Sequence, residues 1–300
     1  MALDWADRAL AVDVLVRLAS ALGTFWRSHC HFSEGRRWLD RALALSAGQR
    51  TRRRADLLDA AGYLSRARGD YDVADAQYRE SLAIREELGD RGKMAASLRF
   101  IGNVAYERGD LDGAEHWWRR SLDMVTDGDD LRLMSVLNNL GVVAHHRGDQ
   151  DEAIRLYDET FELGRRLGSR ELQARAQMNK AQALAAQGDL VQSQMMARAA
   201  VAIYADLDDT WDLVDALDVL AGAIGRSGST ELAGWLFGGG ASLRAALDVR
   251  RPAMEEGDFD RGFRGSRDKD PEAFDAAFTQ GSSASLRQIA LRAITDLGTP

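Results

Sequence analysis

Between Arg91 and Arg108, apolar or small residues fall at Met94, Ala95, Leu98, Ile101, Gly102 and Ala105. Steps of three and four residues place them on one face of an amphipathic helix. A second stretch of this kind runs through Ala114, Trp117, Trp118 and Leu122. Gly109–Asp110 stands between the two. Glycine readily takes the left-handed conformation that ends a helix, and an aspartate after it can cap the next helix by accepting from its free N–H groups. The pattern predicts a helical hairpin. Gly89 and Gly168, each after a leucine and before a polar residue, read as stops of second helices. Proline occurs only at Pro252, Pro271 and Pro300, so none interrupts the helices before the last fifty residues. No segment reads as a strand.

The hairpin recurs. Gly-Asp pairs at Gly69–Asp70, Gly109–Asp110, Gly148–Asp149 and Gly188–Asp189 are 40, 39 and 40 residues apart. Cys30 lies 39 residues before the first and Gly228 lies 40 after the last. Seven residues before these positions stand Gly23, Gly62, Gly102, Gly141, Ala181 and Ala221, and five after stand Gly35, Ala74, Ala114, Ala153, Ser193 and Ala233. Nine after stands a bulky residue, Leu39, Tyr78, Trp118, Tyr157 or Phe237, with Ala197 the exception. The small residues are expected to let the helices of a hairpin approach, and the bulky ones to fill the gap to the next. These signals predict six units near 12–50, 51–90, 91–129, 130–169, 170–209 and 210–250.

After Arg251 the period disappears. Asp270–Pro271–Glu272 reads as a helix start, Phe274 and Phe278 share the following face, and Ser285 with Gln288 fits a capping box before Ile289, Leu291, Ile294 and Leu297. A repeat array needs its terminal apolar face covered, so residues 251–300 are expected to form a C-terminal helical cap. Arg264 to Lys269 reads as a loop within it.

The period and the run Leu137–Ala144 through Gly148–Asp149 and Ala153 resemble a tetratricopeptide repeat in a form of roughly forty residues. The resemblance implies an all-α, right-handed superhelical solenoid of about six tetratricopeptide-like hairpins over residues 1–250, closed by the cap. Ala2–Ala6, Phe32–Leu43 and Leu232–Gly238 are also similar to the C-terminal arm of LuxR-type and AfsR-like bacterial signal-transduction ATPases that regulate transcription. Those regulators carry an upstream phosphate loop, and no G-x-x-x-x-G-K-[ST] occurs here. The chain therefore reads as a free-standing arm or a segment of a longer protein, without the family's ATPase or DNA-binding activity.

Composition narrows the function further. The 300 residues carry 39 Lys+Arg against 47 Asp+Glu, a net charge of −8, which disfavours general affinity for nucleic acid or anionic membrane. No apolar run is long enough to span a bilayer and no signal peptide is evident, so a cytoplasmic location is expected. Cys30 is the only cysteine, which excludes an internal disulfide and a multi-cysteine zinc site. Lysine occurs only at Lys93, Lys180 and Lys269; we read the arginine excess as the composition of a GC-rich, bacterial genome.

Candidate chemistry is sparse. His29–Cys30–His31 lacks a further ligand at metal spacing and reads as a turn. His145–His146 reads as an ordinary helix C-terminus, or as groove-facing. Gly238–Gly239–Gly240 lacks the lysine and strand of a phosphate loop; either the helix breaks there or its backbone packs very closely. Arg50 to Arg54 reads as a solvated basic loop, and Trp117–Trp118 as core with a half-buried neighbour. No nucleophile–base set is evident, so no enzyme, cofactor or metal is expected.

What the resemblance implies is a groove lined by first helices. Counted from the small residues, its slots hold Arg99, Asn103 and Tyr106 in the third unit, Asn138, Asn139 and His145 in the fourth, and Arg175, Asn179 and Gln182 in the fifth. Asparagine can donate to and accept from a peptide backbone, and arginines can clamp a carboxylate. This order is similar to the carboxylate clamps of peptide-binding tetratricopeptide domains. The competing reading has Asn138 and Asn139 bonding helix carbonyls or neighbouring repeats. The expected function is a non-catalytic scaffold or sensor binding a protein or peptide segment, with an ATPase or DNA-binding regulator as a further candidate partner. The alternative is an intracellular receptor for a small signalling peptide controlling transcription.

Overall fold

A computed structural model describes residues 2–28, 32–126, 128–247, 250–251 and 253–296, and among them every regular element is a helix. His29–Cys30–His31, Pro252 and Leu297 lie outside the described residues. The chain divides into two compact units, residues 1–126 and 127–300.

The first unit holds α1 (Ala2–Arg8), α2 (Val12–Ser28), α3 (Phe32–Leu45), α4 (Arg52–Ala67), α5 (Tyr71–Glu87), α6 (Arg91–Glu107) and α7 (Leu111–Leu122). The second holds α8 (Asp130–His146), α9 (Gln150–Leu167), α10 (Arg170–Gln187), α11 (Leu190–Asp206), α12 (Thr210–Ser227) and α13 (Thr230–Leu247), then α14 (Ala253–Arg267), α15 (Pro271–Ser282) and α16 (Leu286–Thr295). In the second unit α8 and α12 each also touch α10, so its first helices lie side by side.

The turns follow the predicted chemistry. Gly109 has φ +83°, its N–H donates to Tyr106 O and the Asp110 N–H to Ala105 O, closing a Schellman motif. Asp110, Asp149 and Asp189 each accept from a backbone N–H three residues on. Asp70 differs: its carboxylate makes no cap bond and instead pairs with Arg36 at 2.8 Å.

Small and bulky residues meet inside three of the hairpins. A Cβ added to Gly62 would lie 2.7 Å from the Tyr78 ring, one on Gly102 2.5 Å from Trp118, and one on Gly141 2.5 Å from Tyr157. The bulky side chain thus fills the notch of its own hairpin, not simply the gap to the next. Tyr78 does both, stacking on Phe100 of α6 at 5.0 Å.

Two readings are corrected. Arg50 to Arg53 are exposed, as a solvated loop would be, but the run enters a helix at Arg52 because Thr51 caps α4 by accepting from the Arg54 N–H. Arg54 is buried, with Glu80 at 2.7 Å and the Leu43 carbonyl at 2.9 Å. Arg50 and Arg53 pair with Glu87 and Asp13. Likewise Arg264 to Arg267 is the last turn of α14, because Gly262 and Ser266 pack directly on Gly222 and Gly225 of α12.

The glycine run resolves in favour of close packing. α13 continues unbroken through Gly238–Gly240, all three buried. A Cβ on Gly238 would lie 2.0 Å from the Phe278 carbonyl oxygen, and one on Gly234 2.6 Å from that of Phe274. α13 and α15 therefore meet backbone to backbone. Gly240 is different, since its nearest neighbour would be the end of the Asp218 side chain at 3.2 Å. The caps of α15 and α16 form as predicted, with Asp270 accepting from Ala273 and Ser285–Gln288 making a full capping box.

These contacts predict opposite outcomes for two neighbouring substitutions. Gly238→Ala should destabilise by about 2–3 kcal/mol, because it forces backbone apart in a tightly packed core. Gly240→Ala should stay within about 1 kcal/mol of the parent, since alanine regains about 1 kcal/mol of helix propensity. Urea denaturation of both variants checks this; equal losses would exclude the backbone contact as the cause.

Candidate functional site

The nine candidate groove residues are divided between the two units. In the first, Arg99, Asn103 and Tyr106 gather around Trp118. The indole N–H donates to Asn103 Oδ1 at 3.0 Å and to the Arg99 carbonyl at 3.2 Å, while the buried Tyr106 ring lies 5.9 Å from the indole. The Arg99 guanidinium sits 4.6 Å over Phe100.

In the second unit, the other six lie on α8 and α10. Asn179 donates to Asn138 Oδ1 at 3.2 Å, and both are buried, so this amide pair joins neighbouring repeats. Asn139, one residue on, is half-buried. Arg175 pairs with Asp212 of α12 at 2.6 Å and Glu171 at 3.3 Å. A carboxylate clamp at Arg175 would have to compete with both. Gln182 lines a cavity of about 90 Å³ between α10, α12 and α14, with Asp218, Val219, Arg226, Arg251 and Phe259 among its other walls.

His145 is buried, with its Nδ1 2.7 Å from Gln150 Oε1 and its Nε2 3.1 Å from Asp258 Oδ2 of α14. Burial, aided by nearby Arg261, lowers its pKa; the same burial, reinforced by His145, takes His146 down to about 4. Both rings are therefore predominantly neutral at pH 7.

Asp258 shows where α14 runs. Its main packing partner is α12, and its first half reaches α10 at the cavity and α8 at His145. α14 thus covers the C-terminal ends of the first helices in this unit, while Asn139 lies near the middle of α8 and Arg175 toward the N-terminal end of α10. Sequence reasoning missed this cover, because Asp258 lies where the period is lost.

It also missed the acids of α12. Asp209, Asp212, Asp215 and Asp218 recur every three residues, a spacing legible in the sequence that makes each the helix-surface neighbour of the next. Arg244 of α13 bridges Asp215 at 2.7 Å and Asp218 at 2.8 Å, and Arg251 adds a second bond to Asp218. Asp209 caps α12 by accepting from the Asp212 N–H. Burial, with the adjacent Asp212 charge, raises the Asp209 carboxyl to about 6.

The comparisons with known proteins agree with this architecture. The profile of the tetratricopeptide repeat family matches residues 53–127 and 132–206, together half of the chain. The chain belongs to the tetratricopeptide repeat family. A stretch of 108 residues, 34% of this chain, is 31% identical to the Photosystem I assembly protein Ycf3 of Rippkaea orientalis and spans 58% of that protein's length. Among solved structures, NprR in complex with its cognate peptide NprX superposes with a TM-score of 0.66 at 12% identity, covering 96% of this chain and 84% of that one. A Rap protein complexed with Competence and Sporulation Factor gives 0.62 at 17% identity, covering 94% and 78%. Among the described residues, no helix is long and apolar enough to cross a membrane.

Asp209 yields a pH prediction with a defined sign. Its folded pKa, about 6, lies above the ordinary 3.8, so folding favours the protonated form. That contribution is fully present below about pH 4 and lost as the pH rises through about 6. Asp209→Asn keeps a capping side chain and removes the charge. The variant should match the parent near pH 4 and exceed it above pH 7 by roughly 1 kcal/mol, after allowance for solvent screening. Urea midpoints across pH 4–8 check it; a constant gap would rule Asp209 out as the source.

Proposed function

We propose that the chain is a non-catalytic module of a bacterial signalling or transcription-regulatory system, working in the cytoplasm and binding an extended peptide or protein segment on the first-helix face of the second unit. The observation that carries this reading is the pair of half-buried amides there, Asn139 on α8 and, at the cavity beside α14, Gln182 on α10, next to the arginine–aspartate pairs of α12. Side-chain amides donate and accept at once, which suits a peptide backbone of varied sequence. With Arg175 already engaged by Asp212 and Glu171, recognition through amides is favoured over a carboxylate clamp. The resemblance of Ala2–Ala6, Phe32–Leu43 and Leu232–Gly238 to the arm of signal-transduction ATPases supports a sensor or scaffold role, with an ATPase or DNA-binding regulator as partner.

A second reading is favoured by one specific observation. NprR and the Rap protein, both solved with peptides bound, share the fold over 96% and 94% of this chain. A receptor for a small signalling peptide that controls transcription fits that likeness.

Selection of a random-peptide library against the full chain tests both. Enriched peptides should lose affinity several-fold with Asn139→Ala or Gln182→Ala, as expected for about 0.5–1.5 kcal/mol per hydrogen bond, measured at a temperature where each variant is fully folded. Peptides that bind both variants as tightly as the parent would overturn the site. A lysate partner captured equally by parent and double variant would move the interaction elsewhere.

A further inference from the structure

Gln150 fixes the proton on His145. Its Nε2 donates to the His145 backbone carbonyl at 3.1 Å, a group that can only accept. Its Oε1 must then be the atom facing His145 Nδ1 at 2.7 Å, so Nδ1 carries the hydrogen. On a neutral ring the other nitrogen, Nε2, is a bare lone pair. Yet it stands 3.1 Å from Asp258 Oδ2, a carboxylate oxygen that also has only lone pairs to offer. Two acceptors at that distance repel unless a positive species lies between them. A proton shared with the carboxyl or a metal cation can occupy that place; Arg261, bonded to the other Asp258 oxygen, leaves Oδ2 to face Nε2.

A third donor completes the set. The His146 ring packs on His145 with centroids 5.1 Å apart, and one ligand atom from each of His145, His146 and Asp258 falls within 4.8 Å of the others. Ligands about 2.0 Å from a tetrahedral zinc ion stand about 3.3 Å apart. The His145–Asp258 edge, at 3.1 Å, is already close to that distance, and the His146 ligand atom lies within 4.8 Å of both. Two imidazoles and a carboxylate are the donors of open zinc sites. Gln150 would hold the ligating ring through its Nδ1–H, and Arg261 would hold the carboxylate through its second oxygen.

We propose that His145 Nε2, a ring nitrogen of His146 and Asp258 Oδ2 form a site for a divalent transition-metal ion, of the class of Zn²⁺, that fastens α14 to the end of α8. Three protein ligands leave one coordination position for water or a partner's group. The ligands are other residues than the proposed peptide-binding amides, although Asp258 and Gln182 line one cavity, and the metal site does not depend on peptide binding.

The full chain, stripped with chelator and dialysed, should bind one Zn²⁺ saturably in calorimetry, and added Zn²⁺ should raise its melting temperature. Co²⁺ should give the visible absorption of a tetrahedral ion. His146→Ala should weaken binding at least tenfold and abolish the thermal shift, whereas His116→Ala, on the exposed face of α7, should change neither. Asp258→Asn provides an independent readout. Its amide N–H can donate to Nε2, so the metal-free variant should melt no lower than the metal-free parent and should not respond to Zn²⁺. Absence of saturable binding overturns the proposal, as does binding indifferent to His146→Ala. A doubly protonated His145 at pH 7 by NMR, with no response to Zn²⁺, would assign the gap to a proton and overturn it as well.

Discussion

The seating of one bulky ring against one missing side chain sets the spacing of the hairpins. Tyr78 on Gly62, Trp118 on Gly102 and Tyr157 on Gly141 each bring a second helix against its first at a distance that any Cβ would enlarge. With the two helices held this close, the apolar faces of successive hairpins can stack at a constant interval, which is why the sequence repeats so regularly. Where the pair is Ala181 and Ala197, both fully buried, neither side is large. At the last hairpin the ring is Phe237, and its partners come from outside the repeats: Phe259 and Phe263 of α14 at 5.4 and 5.2 Å, and Phe274 of α15. The tail helices thus complete the packing that the next hairpin would have provided.

Arginine supplies the second layer of order. A row of hairpins has little depth of core, and charged side chains at its joints are drawn inward. Arg85 is buried and reaches Asp59 at 2.7 Å, Asp56 at 3.0 Å, Ser97 at 2.6 Å and the Lys93 carbonyl at 3.1 Å. Arg66 and Glu107 pair in the same unit, as do Arg244, Asp215 and Asp218 in the other. Such pairs add little net stability, since desolvation offsets their attraction, but a shifted register would leave a charge buried alone at a cost of about 3–5 kcal/mol. Arg85 uses more donors than a lysine could present, in a planar fork. The arginine excess therefore has a structural use that a reading based on genome composition overlooks.

The repeat was legible because it rests on local rules: glycine where φ is positive, aspartate at the next cap, and small and bulky residues at fixed offsets. The caps at Asp270 and Ser285 were legible for the same reason. What was not legible depends on partners distant in sequence. Nothing near Gly238 announces that Phe278 will lie against it, and nothing near His145 announces Asp258, 113 residues away. Asn138 could be assigned to the groove face by periodicity, but only the position of Asn179 shows that its amide is used between repeats. Arg54 was misread because a run of basic residues suggests solvent, whereas Thr51 turns the run into a helix whose third residue points inward.

The two halves of α14 are held by different forces. Its C-terminal half is anchored by Phe263, by Gly262 against Gly222, and by Ser266 against Gly225, contacts that require close approach and exclude water. Its N-terminal half holds α8 through polar atoms, chiefly Asp258 at His145, and borders the cavity with Glu255. Polar contacts at a partly exposed edge exchange with water at little net cost, whereas the glycine contacts cannot open without creating a void. The contacts of α14 that are easiest to exchange with water therefore lie before Phe259, which packs 5.4 Å from Phe237. Gln182 and the buried His145 both adjoin this polar end of α14.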